Sequence, residues 1–257
     1  MTAQMIVFFI FAAAAAREKR IFERIRLAVP VKWFYLKEIG KIGFPASLQN
    51  LIYAGISMLL TRLIAGWGDT AVAVQRVGGQ IESVSWMVGE GFAAAVNSFT
   101  GQNYGAKRME RVKKGFSVAV RLVSVWGLFT SALLILMAEP IFHLFIREPE
   151  VLAEGVNYLR ILGFSQLFML VELTAVGAFA GLGRTAIPSV LSILLTSARL
   201  PLASFLSGTG LGLSGIWWAL TISSIAKGCL FYGCFRLILY RISAKFVKKP
   251  IDYFEKP

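Results

Sequence analysis

Gly78–Gly115 reads GGQIESVSWMVGEGFAAAVNSFTGQNYGAKRMERVKKG. Residues 78–101 hold no lysine or arginine, and their only acids are Glu82 and Glu90. Directly after them Lys107, Arg108, Arg111, Lys113 and Lys114 crowd into one short loop. A helix of about 20 residues crosses the roughly 30 Å of bilayer hydrocarbon. Basic residues gather where spans leave the membrane on its cytoplasmic side. The stretch therefore reads as a transmembrane helix with acids at depth and a cytoplasmic exit.

Working outward, blocks of the same kind recur. Of 257 residues, 56% are hydrophobic and only 16% charged, and the mean hydropathy is +0.67. That is too little charge to cover a soluble domain of this length. Candidate spans fall at about 42–65, 78–101, 116–138, 156–180, 188–206 and 213–238. The strict alternation of a membrane β-barrel is missing. Pro45 is expected near the start of the first span and Pro201 to kink the fifth. Asp69–Thr70 is a plausible N-cap for the second.

The charge balance of +13 suggests nucleic acid until the basic residues are placed. Eight precede the first span, from Arg17 to Lys41, and the loop Gly66–Thr70 has none. After the cluster at 107–114, the next loop carries only Arg147 among four glutamates. Arg184 marks the following loop, Ser207–Ser214 carries none, and the tail is basic from Arg241 onward. Basic-rich and basic-poor loops alternate at every crossing. This predicts six spans with a cytoplasmic C-terminus; the expected location is a plasma membrane, as a bacterial inner-membrane protein. The charge is a topology signal, and no nucleic-acid partner is expected. The domains read as 1–16, the end of a truncated helix; 17–41, a basic cytoplasmic linker; 42–240, the six-helix lobe; and 241–257, a basic cytoplasmic tail.

Charge inside a span is costly and faces a cavity or a partner. Glu90, Glu172, Arg199 and Lys227 all fall near mid-span. Trp86, Glu90 and Asn97 share one face of the second span, and Glu82 lies nearer its outer end. Two readings compete. In one, the acids neutralise Arg199 and Lys227 as buried pairs. In the other, at least one carboxylate loads and unloads a proton or Na⁺. Gly177 and Gly181, with Gly89, Gly91 and Ala93–Ala95, predict close helix packing.

Enzyme chemistry finds little to stand on. The single histidine, His143, falls in a basic-poor loop, and Asp69 and Asp252 both lie off mid-membrane. Walker, HExxH and GxSxG motifs are missing. Cys229 and Cys234, five residues apart on one helix, point to different faces and suit neither a disulfide nor a metal pair. No cofactor is expected, only H⁺ or Na⁺ as a coupling ion.

The 78–115 stretch, with GQNYGAK at Gly101–Lys107, resembles the C-terminal half of the multidrug and toxic compound extrusion (MATE) family. So do GAFAGLGRTAIPS at Gly177–Ser189, ARLPLA at Ala198–Ala203 and GLSGIWWALTISSIAKG at Gly212–Gly228. Order and spacing agree over about residues 37–240. The resemblance implies an all-α, polytopic membrane protein. Its six-helix bundle would be one lobe, helices seven to twelve, of a twelve-helix transporter. It implies an antiporter exporting organic cations or drugs in exchange for H⁺ or Na⁺. The partners implied are the lipid bilayer and a first lobe or second chain. Glu90 and Glu172 would couple the cation, with Glu82 an additional acid. Gln49, Trp86, Asn97 and Met169 would line the substrate cavity, and Arg199 and Lys227 would be charge partners. Many family members have an acid where this sequence has Met169, and another in helix seven, where Gln49 and Asn50 stand. Two alternatives remain. Arg121, Arg199 and Lys227 fit a flippase of lipid-linked sugars, and a half-length chain fits a non-transporting fragment.

Overall fold

The computed structural model describes residues 2–17 and 33–248. The basic segment between Arg17 and Trp33 and the tail beyond Lys248 lie outside the described residues. Contacts separate residues up to Gly40 from those that follow, and the site belongs to the second unit. All regular secondary structure among the described residues is helical. Helix α1 is Thr2–Arg17, α2 Trp33–Ala65, α3 Asp69–Gly105, α4 Met109–Leu136 and α5 Ala138–His143. Helix α6 is Pro149–Gly163, α7 Gln166–Gly181, α8 Ala186–Ser197, α9 Arg199–Ser207 and α10 Leu213–Lys248.

Four stretches are long and apolar enough to cross a membrane: α2, α4, α8 with α9, and α10. Helices α6 and α7 qualify only as a pair, bent by 51°. Helix α3, at 37 residues, has the length but falls short in apolarity. One of its faces carries Gln75, Glu82, Trp86 and Glu90 towards a cavity. Lipid-facing positions show the opposite pattern. On α4 the exposed residues include Leu122, Val125, Leu128 and Phe129, which hydrocarbon rather than water would cover.

Several local expectations need correction. The first span starts early, at Trp33, so Pro45 lies inside α2 rather than in its first turn. Asp69 is the first residue of α3, not its cap. Gly68 holds the cap position without a side-chain bond, and the Asp69 charge sits by the positive end of the helix dipole. The fourth span is two helices. The fifth, as expected from Pro201, breaks one turn before it at Ala198, where the missing proline N–H leaves the Ser197 carbonyl without its helical donor.

Two apolar layers bracket a polar one. The first holds Ile64, Val74, Phe142, Tyr158, Leu159 and Trp217. The second holds Val96, Phe116, Phe179, Phe231 and Phe235. On α10 the two layers are 14 residues apart, Trp217 to Phe231, which is about 21 Å of helix. Between them α10 presents Leu220, Ser224 and Lys227. Helix α3 repeats this order, with Val74 in the first layer, Glu82 and Glu90 in the middle and Val96 in the second, whereas α7 runs from Gln166 and Glu172 in the polar layer to Phe179 in the second. Helix α7 lies against α3 so closely that a Cβ on Gly177 would meet the backbone of Ala93. It also lies against α10, where a Cβ on Gly228 would be 2.7 Å from that of Phe168. These approaches hold the polar parts of three helices together.

Candidate functional site

The polar layer lines an open cavity of about 640 Å³. Its wall combines α2 (Gln49, Asn50, Tyr53), α3 (Glu82, Trp86, Glu90), the α6–α7 pair (Tyr158, Met169, Glu172) and α8–α10 (Arg199, Ser224, Lys227). Three carboxylates therefore face two cations in one chamber.

Each carboxylate is held differently. Glu172, 13% exposed, pairs with Lys227, 5% exposed, at 3.3 Å. The close approach at Gly228 sets the adjacent Lys227 beside α7. Glu90 accepts a hydrogen bond from Trp86 Nε1 at 3.1 Å and has no ion-pair partner among the described residues. Four-residue spacing on α3 makes this contact local. Glu82 accepts from Gln166 Nε2 at 2.8 Å and from Tyr158 OH at 3.2 Å. The bend between α6 and α7 allows this pair of donors, since Tyr158 lies before it and Gln166 directly after it.

Arg199 belongs to a different network. Its Nε donates to Ser223 Oγ and its Nη2 to Ser224 Oγ, both at 3.0 Å. Ser223 in turn donates to the Leu195 carbonyl at 3.0 Å, next to the break between α8 and α9. The guanidinium lies within electrostatic reach of both Glu82 and Glu172, yet neither forms an ion pair with it. Arginine on a broken helix is thus pinned to α10 by hydroxyls rather than by acids.

The structure brings together Gln49, Glu82, Trp86, Glu90, Met169, Glu172, Arg199 and Lys227. Asn97 stands apart. Beyond Glu90, α3 runs into α7 at Ala93–Gly177 and again at Asn97–Gly181. There the Asn97 carbonyl would lie 2.6 Å from a Cβ on Gly181. That contact closes the chamber and leaves Asn97 exposed and off its wall. Arg121 is likewise exposed on α4 and not part of the lining. The sequence reading missed Tyr158 and Gln166. A glutamine inside the apolar run 156–180 was the available signal for the second. Cys229 and Cys234 are free thiols, and no group of three or more metal-ligating side chains occurs among the described residues.

Comparison with known proteins gives one consistent answer. The MatE family profile matches residues 45–205. A probable multidrug resistance protein NorM from Thermotoga maritima is 26% identical over 225 residues, covering 87% of this chain and 47% of its own length. A NorM from Chromobacterium violaceum is 29% identical over 214 residues, covering 79% of this chain and 45% of its own. Among solved structures, a MOP superfamily transporter from Pyrococcus furiosus superposes with a TM-score of 0.82 at 23% identity. The match covers 95% of this chain and 55% of that one. The chain spans about half the length of the curated relatives it matches.

Proposed function

Because this chain belongs to the MatE family, a family of transporters rather than enzymes, we propose that it supplies one lobe of a secondary active antiporter. That antiporter exports organic cations or drugs in exchange for H⁺ or Na⁺. It works as a multi-pass protein of the bacterial inner membrane, with its C-terminus cytoplasmic and a first lobe or second chain as the other wall.

One observation supports this reading above the rest. The chamber holds three carboxylates against two cations, so one negative charge is left over when all are ionised. An excess charge at membrane depth attracts a mobile cation. Glu90 and Trp86 suit the cargo, since the indole face attracts cationic aromatics and the carboxylate beside it supplies charge. Glu82, enclosed by two donors, suits the coupling ion. Glu172 is already engaged by Lys227 and acts on both through the field of the pair. The mechanism is competition: cargo and coupling ion share one surplus charge, so binding of either disfavours the other.

The test is dye efflux from cells expressing the chain together with a first lobe. Glu90→Gln plus Glu172→Gln is expected to reduce efflux by at least about tenfold, from lost charge at membrane depth. Unchanged efflux would sink the carboxylate assignment. Glu82→Gln is expected to weaken the response to an imposed ion gradient more than it weakens dye binding. The second reading, a flippase of lipid-linked sugars, draws on Arg199, whose guanidinium lines the cavity without an acid partner. Tight binding of a polyprenyl phosphate, with dye efflux absent, would favour it. Lack of either activity, even beside a first lobe, would leave the non-transporting fragment.

A further inference from the structure

A second, smaller cleft lies away from the cavity. Its volume is about 300 Å³ and its wall is Arg184, Ile187, Ile238, Arg241 and Ile242. Two arginines and three isoleucines make an unusual lining. The arginine side chains are exposed, and neither makes a hydrogen bond or ion pair with the described residues. Ile242 is 7% exposed and forms the floor.

The position of Arg184 is built rather than incidental. Helix α7 ends in a turn with Gly183 at φ 67°, a left-handed conformation that favours glycine. Arg184 N–H donates to the Phe179 carbonyl at 3.0 Å and Gly183 N–H to Ala180 at 2.9 Å. This is the bond pattern of a glycine helix stop. On the other side Thr185 Oγ1 donates to the Ile42 carbonyl at 2.7 Å, tying the turn to α2. The backbone on both sides of Arg184 is therefore fixed. Arg241 comes from the far end of α10, at the last turn of the apolar stretch Leu213–Ile242. Both belong to segments whose basic residues mark the cytoplasmic exits. Exposed Leu237 and Tyr240 beside them suit the zone where hydrocarbon gives way to head groups.

We propose that this cleft binds the phosphate of an anionic phospholipid in the cytoplasmic leaflet. The two guanidiniums would hold the phosphodiester, and Ile187, Ile238 and Ile242 would line the path of the glycerol and first acyl carbons. Arginine forks match phosphate geometry, and like charges drawn together without an acid favour an anion between them. The apolar wall selects a lipid over a soluble phosphate, because a free anion gains nothing from three isoleucines. The site is independent of what passes through the central cavity.

Native mass spectrometry of the full chain in detergent tests this, with phosphatidylglycerol, phosphatidylcholine or inorganic phosphate added. Phosphatidylglycerol is expected to stay bound and phosphatidylcholine to dissociate. Arg184→Gln with Arg241→Gln should weaken retention roughly thirtyfold, a factor of about five for each charge. Arg241→Gln alone should give about fivefold, which keeps the test open if the double variant does not fold. Arg108→Gln with Arg111→Gln, on the other basic loop, should leave retention unchanged. Equal retention by the Arg184/Arg241 variants would overturn the proposal. So would an equal loss in the Arg108/Arg111 variant, or displacement of the lipid by inorganic phosphate.

Discussion

At the scale of single residues, the chamber is decided by who partners whom. Glu172 and Lys227 compensate each other, so removing one leaves the other buried and alone. Lys227→Met is expected to destabilise by about 3 kcal/mol, read as a lowered melting temperature in detergent. The double variant Lys227→Met with Glu172→Gln should recover most of that loss. Equal damage in single and double variants would mean the two side chains do not depend on each other. Sequence revealed these residues because a charge in an apolar run is conspicuous. It did not reveal their pairing, which depends on helix rotation and on the approach at Gly228. Asn97 shows the same limit from the other side. Seven-residue spacing gave it the face of Glu90, but where along the axis α7 closes against α3 is a tertiary fact. Tyr158 and Gln166 were missed because their common target, Glu82, becomes reachable only through the bend between α6 and α7.

At the scale of elements, small residues set the distances between helices. Gly177→Ala would drive a methyl into the backbone of Ala93. A backbone cannot swing aside as a flexible side chain does, so α3 and α7 must separate. The expected loss is about 1–3 kcal/mol, as for overpacked cores. Gly91, also in α3, has open space around its would-be Cβ. Gly91→Ala is therefore expected to stabilise by up to about 1 kcal/mol through helix propensity alone. Melting curves of the two variants should move in opposite directions, and movement in the same direction would refute the packing argument. The Gly177–Gly181 spacing was legible as a packing signal. The break at Ala198 was legible through Pro201, because a proline disrupts the turn before it and removes the donor to the Ser197 carbonyl. The split of the fourth span carried no proline and was not legible.

At the scale of the molecule, six crossings were read from hydrophobic blocks and alternating loop charge, and the helices fall where those blocks do. The orientation is testable directly. After replacing Cys229 and Cys234 with serine, single cysteines at Lys113 and Arg184 should react with a membrane-impermeant maleimide from the same side. Cysteines at Glu148 and Gly210 should react from the opposite side. Labelling of Lys113 and Glu148 positions from one side would break the topology.

The greasiness missing from α3 has a consequence for how the chain is made. A ribosome delivers helices to the membrane one after another, and a charged side chain opposes partitioning by up to about 2.5–3.5 kcal/mol at a helix centre and by less towards its ends. Carrying Glu82 and Glu90, α3 is a poor candidate to enter lipid unaccompanied, whereas α4 enters readily. The nascent chain would hold α3 at the insertion machinery until α4 emerges to shelter its polar flank. A reporter fused after Gly105 should then show incomplete insertion that a fusion after Leu136 repairs.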